Sequence, residues 1–297
     1  MPGLNLKERF SDPRSGRPRR AAYALPTLFT AGNIFLGFLS VMQSIMGTML
    51  AHDGTSGAER HFEIAAITIG LAVMLDGLDG RIARMTNTTS DFGREMDSLA
   101  DVISFGIAPA VLAYAWGVLF IDPGLGTRLH DQIVGLGSFV AFMFLLCGSA
   151  RLARFNVQKN PIPKNPGRPN RKYFVGLPIP AAAGMVASVV YAVDSEPITF
   201  WPFTIAWLVL LALLSFLMVS TWRYYSFKDI SLMRPRSSLT VILVGILIAL
   251  IWNYSKPVLV SCASCYVASG ILIRLGGILR RRHLRHAPPK LPEHQIG

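Results

Sequence analysis

Residues 76–101, DGLDGRIARMTNTTSDFGREMDSLAD, carry two pairs of aspartates at helical spacing, Asp76 with Asp79 and Asp97 with Asp101. The first pair is spaced i,i+3 and the second i,i+4, so on helices each pair shares one face. Between them Thr86, Asn87, Thr88, Thr89 and Ser90 form a polar run that reads as a short turn. The stretch is expected to be a helical hairpin whose two acidic faces meet. Four carboxylates at close quarters repel one another unless something positive sits among them. Oxygen ligands with no His or Cys nearby suit Mg²⁺ or Mn²⁺ rather than zinc. Two such ions, held by Asp76, Asp79, Asp97 and Asp101, would clamp a phosphate or pyrophosphate and stabilise both attacking and leaving oxygens. Gly80, Ala83 and Gly93 lack bulk, so a ligand or a neighbouring backbone can come close. Arg81, Arg84 and Arg94 supply cations beside the acids. The plainer alternative is a solvated acidic helix end, or acids paired with those arginines. The apolar run IAAITIGLAVML directly before Asp76, and a second one after Asp101, weigh against it. Carboxylates at membrane depth are costly and usually functional.

The elements that position these acids follow from composition. The chain of 297 residues is 52% hydrophobic and 15% charged, where soluble domains carry about a quarter charged residues. A net charge of +12 would suit nucleic acid, but the cations lie between apolar runs, as membrane topology places them. The fold class expected is all-α, a polytopic transmembrane helical bundle of eight spans, near 25–50, 63–84, 96–120, 133–156, 177–193, 198–220, 238–254 and 257–278. The first is too long for a signal-peptide core. Residues 1–22 and 279–297 read as basic tails, 23–236 as the catalytic membrane domain, and 237–278 as two additional spans. With both termini inside, 26 of the 29 Lys and Arg residues fall on the cytoplasmic side. That asymmetry sets the orientation and puts the aspartate hairpin at the cytoplasmic face.

Cys147, Cys262 and Cys265 lie in apolar segments and read as helix-packing residues rather than a disulfide or zinc set. The six histidines are expected in loops or tails, which leaves no His-ligated metal core. No Ser/His/Asp or Cys/His constellation offers a covalent route, so direct displacement is expected.

Around the acids, Thr30 and Asn33 in PTLFTAGNIFLG offer uncharged hydrogen-bonding groups on the first span, for a nucleotide or for helix packing. At the inner end of the fourth span, RLARFN carries Arg151 and Arg154 at i,i+3, with Asn156 beyond. Two guanidinium forks on one face suit a phosphate or a carboxylate, or else anchor the span end by snorkelling. The loop that follows, rich in Pro, Gly and cations, either covers the site or satisfies topology.

The pattern Asp76-x2-Asp79-Gly80-x2-Ala83-Arg84-x8-Gly93-x3-Asp97-x3-Asp101 resembles, at all eight defining positions, the signature of the CDP-alcohol phosphotransferases, integral membrane enzymes of phospholipid synthesis. The stretches 97–110, 151–156 and 174–184, and YYSFKDI near 224–230, resemble its serine-using branch. The resemblance spreads over most of residues 25–236. It implies CDP-diacylglycerol and L-serine as substrates among membrane lipid, and a homodimer in a bacterial-type inner membrane. It implies Asp101 as the base that takes the hydroxyl proton. Thr30, Asn33, Gly80, Arg84, Ser90 and Gly93 correspond to positions around the cytidine diphosphate. Arg151, Arg154 and Asn156 are candidates for the lipid phosphate or the serine. Glycerol 3-phosphate, inositol phosphate or choline as acceptor remains the nearest alternative. An ion-coupled transporter is a more distant one, since acids at one membrane face are not a midplane site.

Overall fold

Each of the eight apolar segments is helical. The computed structural model describes residues 17–86, 91–122, 124, 126–158, 173–225 and 238–285. Among these, the helices are α1 (Arg17–His52), α2 (Ala58–Thr86), α3 (Asp91–Asp101), α4 (Ala108–Gly117), α5 (Thr127–Gln158), α6 (Ile179–Ala192), α7 (Trp201–Val219), α8 (Ser238–Asn253) and α9 (Ser255–Arg285). A π-helical turn, Val102–Ile107, joins α3 to α4 without a break.

Among the described residues, six helices are long and apolar enough to cross a membrane: Leu28–His52, Ala58–Asp79, Phe92–Gly117, Thr127–Val157, Trp201–Val219 and Ser255–Arg274. The chain is an integral, multi-pass membrane protein. The other two expected spans are shorter, 14 residues for α6 and 16 for α8. At 1.5 Å per residue these reach about 21 and 24 Å, short of a hydrocarbon core of about 30 Å. Pro178 caps α6 and Pro180 sits in its first turn, which fixes its late start. The count of eight therefore resolves into six full-length spans and two shorter helices.

The first helix is the spine. Thr30, Asn33, Gly37, Ser40, Ser44 and Gly47 recur every three or four residues and are all buried, so small and polar groups form one face of α1. Small residues let helix backbones approach in lipid. Along this face α1 lies against α2, the π turn and α4. Ser40 Oγ donates to the Ala65 carbonyl of α2 at 3.0 Å. On the other side α5 packs on α7, and α6 on both α2 and α9. Trp116 and Trp207 meet edge to face, 5.1 Å between centroids, and Trp207 Nε1 donates to the Ala113 carbonyl.

One feature departs from an all-helical expectation. Tyr173–Val175 (β1) and Arg223–Tyr225 (β2) pair antiparallel, Phe174 opposite Tyr224. The segments after α5 and α7 run side by side, and their backbone groups satisfy one another outside the helices.

The helices also run further than expected at both ends. α1 reaches back to Arg17 and α9 runs on to Arg285, into both expected tails; cations at a helix C-terminus complement its dipole. The histidine expectation is corrected. His61 lies on α2 with Nδ1 2.6 Å from Gln43 Oε1, His130 lies on α5, and His283 on α9. Cys147 is buried as expected, whereas Cys262 and Cys265 face outward from α9.

Candidate active site

Asp76 and Asp79 sit in the last third of α2, and Asp97 and Asp101 at the end of α3. The hairpin brings the carboxylates of Asp76, Asp97 and Asp101 together, each offering an oxygen within 4.8 Å of the others. Asp79 stands just outside this trio. It is 8% exposed, and its Oδ2 accepts a hydrogen bond from Thr30 Oγ1 at 3.1 Å. A hydroxyl from α1 therefore holds the fourth acid, while Asp76, Asp97 and Asp79 all bear electrostatically on Asp101.

The second shared property of the site is a set of buried polar atoms with no hydrogen-bond partner among the described residues: Asn33 Oδ1, Asp79 Oδ1, Asp101 Oδ1 and Arg151 Nε. Leaving such atoms unmade is costly. Their concentration here marks a place shaped for a ligand. The donor set is entirely oxygen, and it fits a hard divalent cation: the trio supplies converging carboxylates, and the unpartnered oxygens of Asp79 and Asp101 add further lone pairs.

Arg151 and Arg154, one turn apart on α5, are used differently. Arg151 is 8% exposed, lies electrostatically against Asp101, and has its guanidinium carbon 6.0 Å from the Phe155 ring. Arg154 donates from Nη1 to the Val219 carbonyl at 3.0 Å, and from Nη2 to the carbonyls of Val175 at 3.4 Å and Ser220 at 3.5 Å. It ties the end of α7 to β1. Gly176 follows that strand at φ +81°, where a Cβ would stand 2.5 Å from the Met218 carbonyl, so the bend admits only glycine without strain. Asn156 Nδ2 donates to Ser98 Oγ at 2.8 Å, and Ser98 in turn donates to the Arg94 carbonyl at 3.0 Å. Asn156 thus clips α5 to the acidic helix α3.

Gly93 lies on α3, one turn before Asp97. Gly80 and Arg84 lie on α2, but their surroundings, like Ser90 and the loop 159–172 altogether, fall outside the described residues.

Two residues of the site surroundings escaped the sequence reading. Ser104, in the π turn, continues the Asp97, Asp101 spacing by three residues and is fully buried against α1; that spacing was a usable signal. Tyr266 on α9 carried none. It lies electrostatically against Arg151 and 5.8 Å, centroid to centroid, from Tyr224. Burial, with Tyr266 alongside, pushes the Tyr224 phenol up to about 12. It stays a neutral donor, and its hydroxyl bonds the Val267 carbonyl at 3.4 Å.

Comparison with known proteins agrees with this geometry. Residues 23–219 match the family model for CDP-alcohol phosphatidyltransferases. A CDP-diacylglycerol–serine O-phosphatidyltransferase of Helicobacter pylori is 36% identical over 213 residues, 72% of this chain and 76% of the relative. Proteins of the same name are 31% identical in Bacillus subtilis, over 69% of this chain and 91% of the relative, and 38% identical in Saccharomyces cerevisiae, over 54% and 51%.

Proposed function

We propose, because this chain belongs to the CDP-alcohol phosphatidyltransferase family, that it transfers the phosphatidyl group of CDP-diacylglycerol to the hydroxyl of L-serine, giving phosphatidylserine and CMP. The observation that carries the chemistry is the convergence of Asp76, Asp97 and Asp101 from adjoining helices beside buried polar atoms that lack partners. The choice of serine is supported by the names of the relatives.

The acyl chains of the donor belong in lipid, and its charged head belongs at the surface. Asp76, Asp79, Asp97 and Asp101 would hold one or two divalent ions, Mg²⁺ or Mn²⁺. When bound, these neutralise the pyrophosphate and make CMP a better leaving group. Thr30 and Asn33 border the nucleotide from α1. Arg151 faces the phosphate that bears diacylglycerol, or the serine carboxylate. The serine oxygen attacks that phosphorus, a new P–O bond forms, and the P–O bond to CMP breaks with its electron pair leaving on CMP. A hydroxyl is a weak nucleophile near neutrality, so its proton must go to a base during attack. Asp101 Oδ1, buried and without a partner among the described residues, is the acceptor assigned here, and the proton leaves to water afterwards. The positive-inside asymmetry supports a site and both termini on the cytoplasmic side, and the family reading supports an inner membrane. Assembly as a homodimer belongs to the same family reading.

The test supplies CDP-diacylglycerol together with a panel of labelled alcohols to the purified protein. Label is expected in lipid with serine only. Incorporation of glycerol 3-phosphate, inositol phosphate or choline in its place would overturn the choice of acceptor, and no CMP release with any alcohol would overturn the reaction.

A further inference from the structure

Asp101 ends α3, but the chain does not leave the helix there. Val102–Ile107 continue it as a π turn, in which the Ala108 N–H reaches back to the Ile103 carbonyl, an i→i−5 bond. Pro109 supplies a local cause, since it has no N–H and its ring crowds the carbonyl four residues back. One extra residue in a turn amounts to about 100° of helical rotation. Every side chain after Asp101 is therefore re-aimed relative to an unbroken α-helix. Such turns concentrate at functional sites.

The residue re-aimed onto α1 is Ser104. It is fully buried, and its Oγ donates to the Asn33 carbonyl at 2.8 Å, across 71 residues of sequence. The approach is possible because residue 37 is glycine: a Cβ there would lie 2.6 Å from Ser104 Oγ and 2.7 Å from Ser104 Cα. A helix carbonyl has a second lone pair to offer, so this bond ties two helices together without replacing the α1 ladder. Asn33, whose carbonyl takes the bond, and Asp101, three residues before Ser104, each carry a buried side-chain Oδ1 with no partner among the described residues.

We propose that Ser104 is a positioning residue: its bond to the Asn33 carbonyl, made in the cleft left by Gly37, sets the register of α1 against the π turn, and so the separation of the Asn33 amide and the Asp101 carboxylate that flank the bound nucleotide. This rests on the nucleotide reading given above, not on the choice of acceptor. The decisive measurement is CMP binding to the full-length protein in detergent, by calorimetry without serine. Ser104→Ala is expected to weaken CMP binding about fivefold, the scale of one neutral hydrogen bond. Ser104→Cys, similar in size with a poorer donor, should fall between the two. Gly37→Ala presses on the same contact from the other helix and should reproduce the loss. In turnover assays the KM for CDP-diacylglycerol should rise while that for serine holds. Unchanged CMP affinity in a folded Ser104→Ala protein would overturn the inference. So would a parallel change of both KM values with a lower Tm, the mark of a packing defect alone. A wild-type protein that binds no CMP removes the nucleotide reading, and this inference with it.

Discussion

The two ends of the bundle treat charge in opposite ways. At the end built by α2, α3 and α5, buried oxygens of Asp79 and Asp101 and the Nε of Arg151 have no partner among the described residues. At the other end, where α6 stops and α9 begins, the acid is neutralised. Lys256 Nζ donates to Asp194 Oδ1 and sits 5.7 Å from the Tyr191 ring, and Tyr191 in turn bonds Ser255 at 2.9 Å. Asp194 and Ser195 both take left-handed backbone angles of φ 58°, and that exposed ion pair sits on the turn. Orphans occur there too, at Trp116 Nε1 and Thr204 Oγ1, but these are neutral dipoles and cheaper to strand than charges. One end spends its charges on structure; the other withholds them for a ligand.

The contrast is broken most directly at the acids. Asp101→Asn should lower CMP release by roughly 10²–10⁴-fold, the range for a lost proton acceptor, and Asp97→Asn should abolish it by removing an ion ligand, with both proteins still recovered from the membrane fraction. Normal turnover by either purified variant would refute the assignment. Chelation comes next: EDTA should stop the reaction and Mg²⁺ or Mn²⁺ should restore it, so activity indifferent to chelator would exclude an aspartate-held ion. The arginines sharpen the comparison within one helix. Arg151→Gln should raise a substrate KM with little change in Tm. Arg154→Gln, which loses its three bonds to carbonyls, should cost about 1–3 kcal/mol of stability and leave both KM values alone. Reversed phenotypes would exchange their roles. The smallest effect belongs to the far end, where Lys256→Ala breaks an exposed pair of little energetic weight. Its turnover should equal that of the wild type, and a loss comparable to Asp97→Asn would erase the distinction between the ends.

How much of this was legible beforehand follows from the range of the signals. The aspartates at 76, 79, 97 and 101 declare their faces by local periodicity, and the apolar runs declare the helices. Arg154 shows the limit. Its spacing from Arg151 is visible, but its commitment to the carbonyls of Val175, Val219 and Ser220 depends on two loops meeting, which no local pattern records. Tyr266 is harder still, because it reaches Arg151 from a helix more than a hundred residues further along. Ser104 lay between these cases. Its spacing was readable, whereas the π turn that aims it depends on crowding at Pro109 and on the closeness of α1.

The ribbon of β1 and β2 has a consequence for depth. A two-stranded ribbon leaves outer N–H and C=O groups that hydrocarbon cannot satisfy, so it must sit at or above the waterline of the bilayer. Arg154 touches the ribbon at Val175, and Arg151 lies three residues back along α5, about 4.5 Å deeper. Asp101, which lies electrostatically against Arg151, is thus only a helical turn or so beneath the surface. A soluble amino acid can wade in and a spent nucleotide can drift out without any tunnel through the protein, while the tails of the lipid partner never leave their oil.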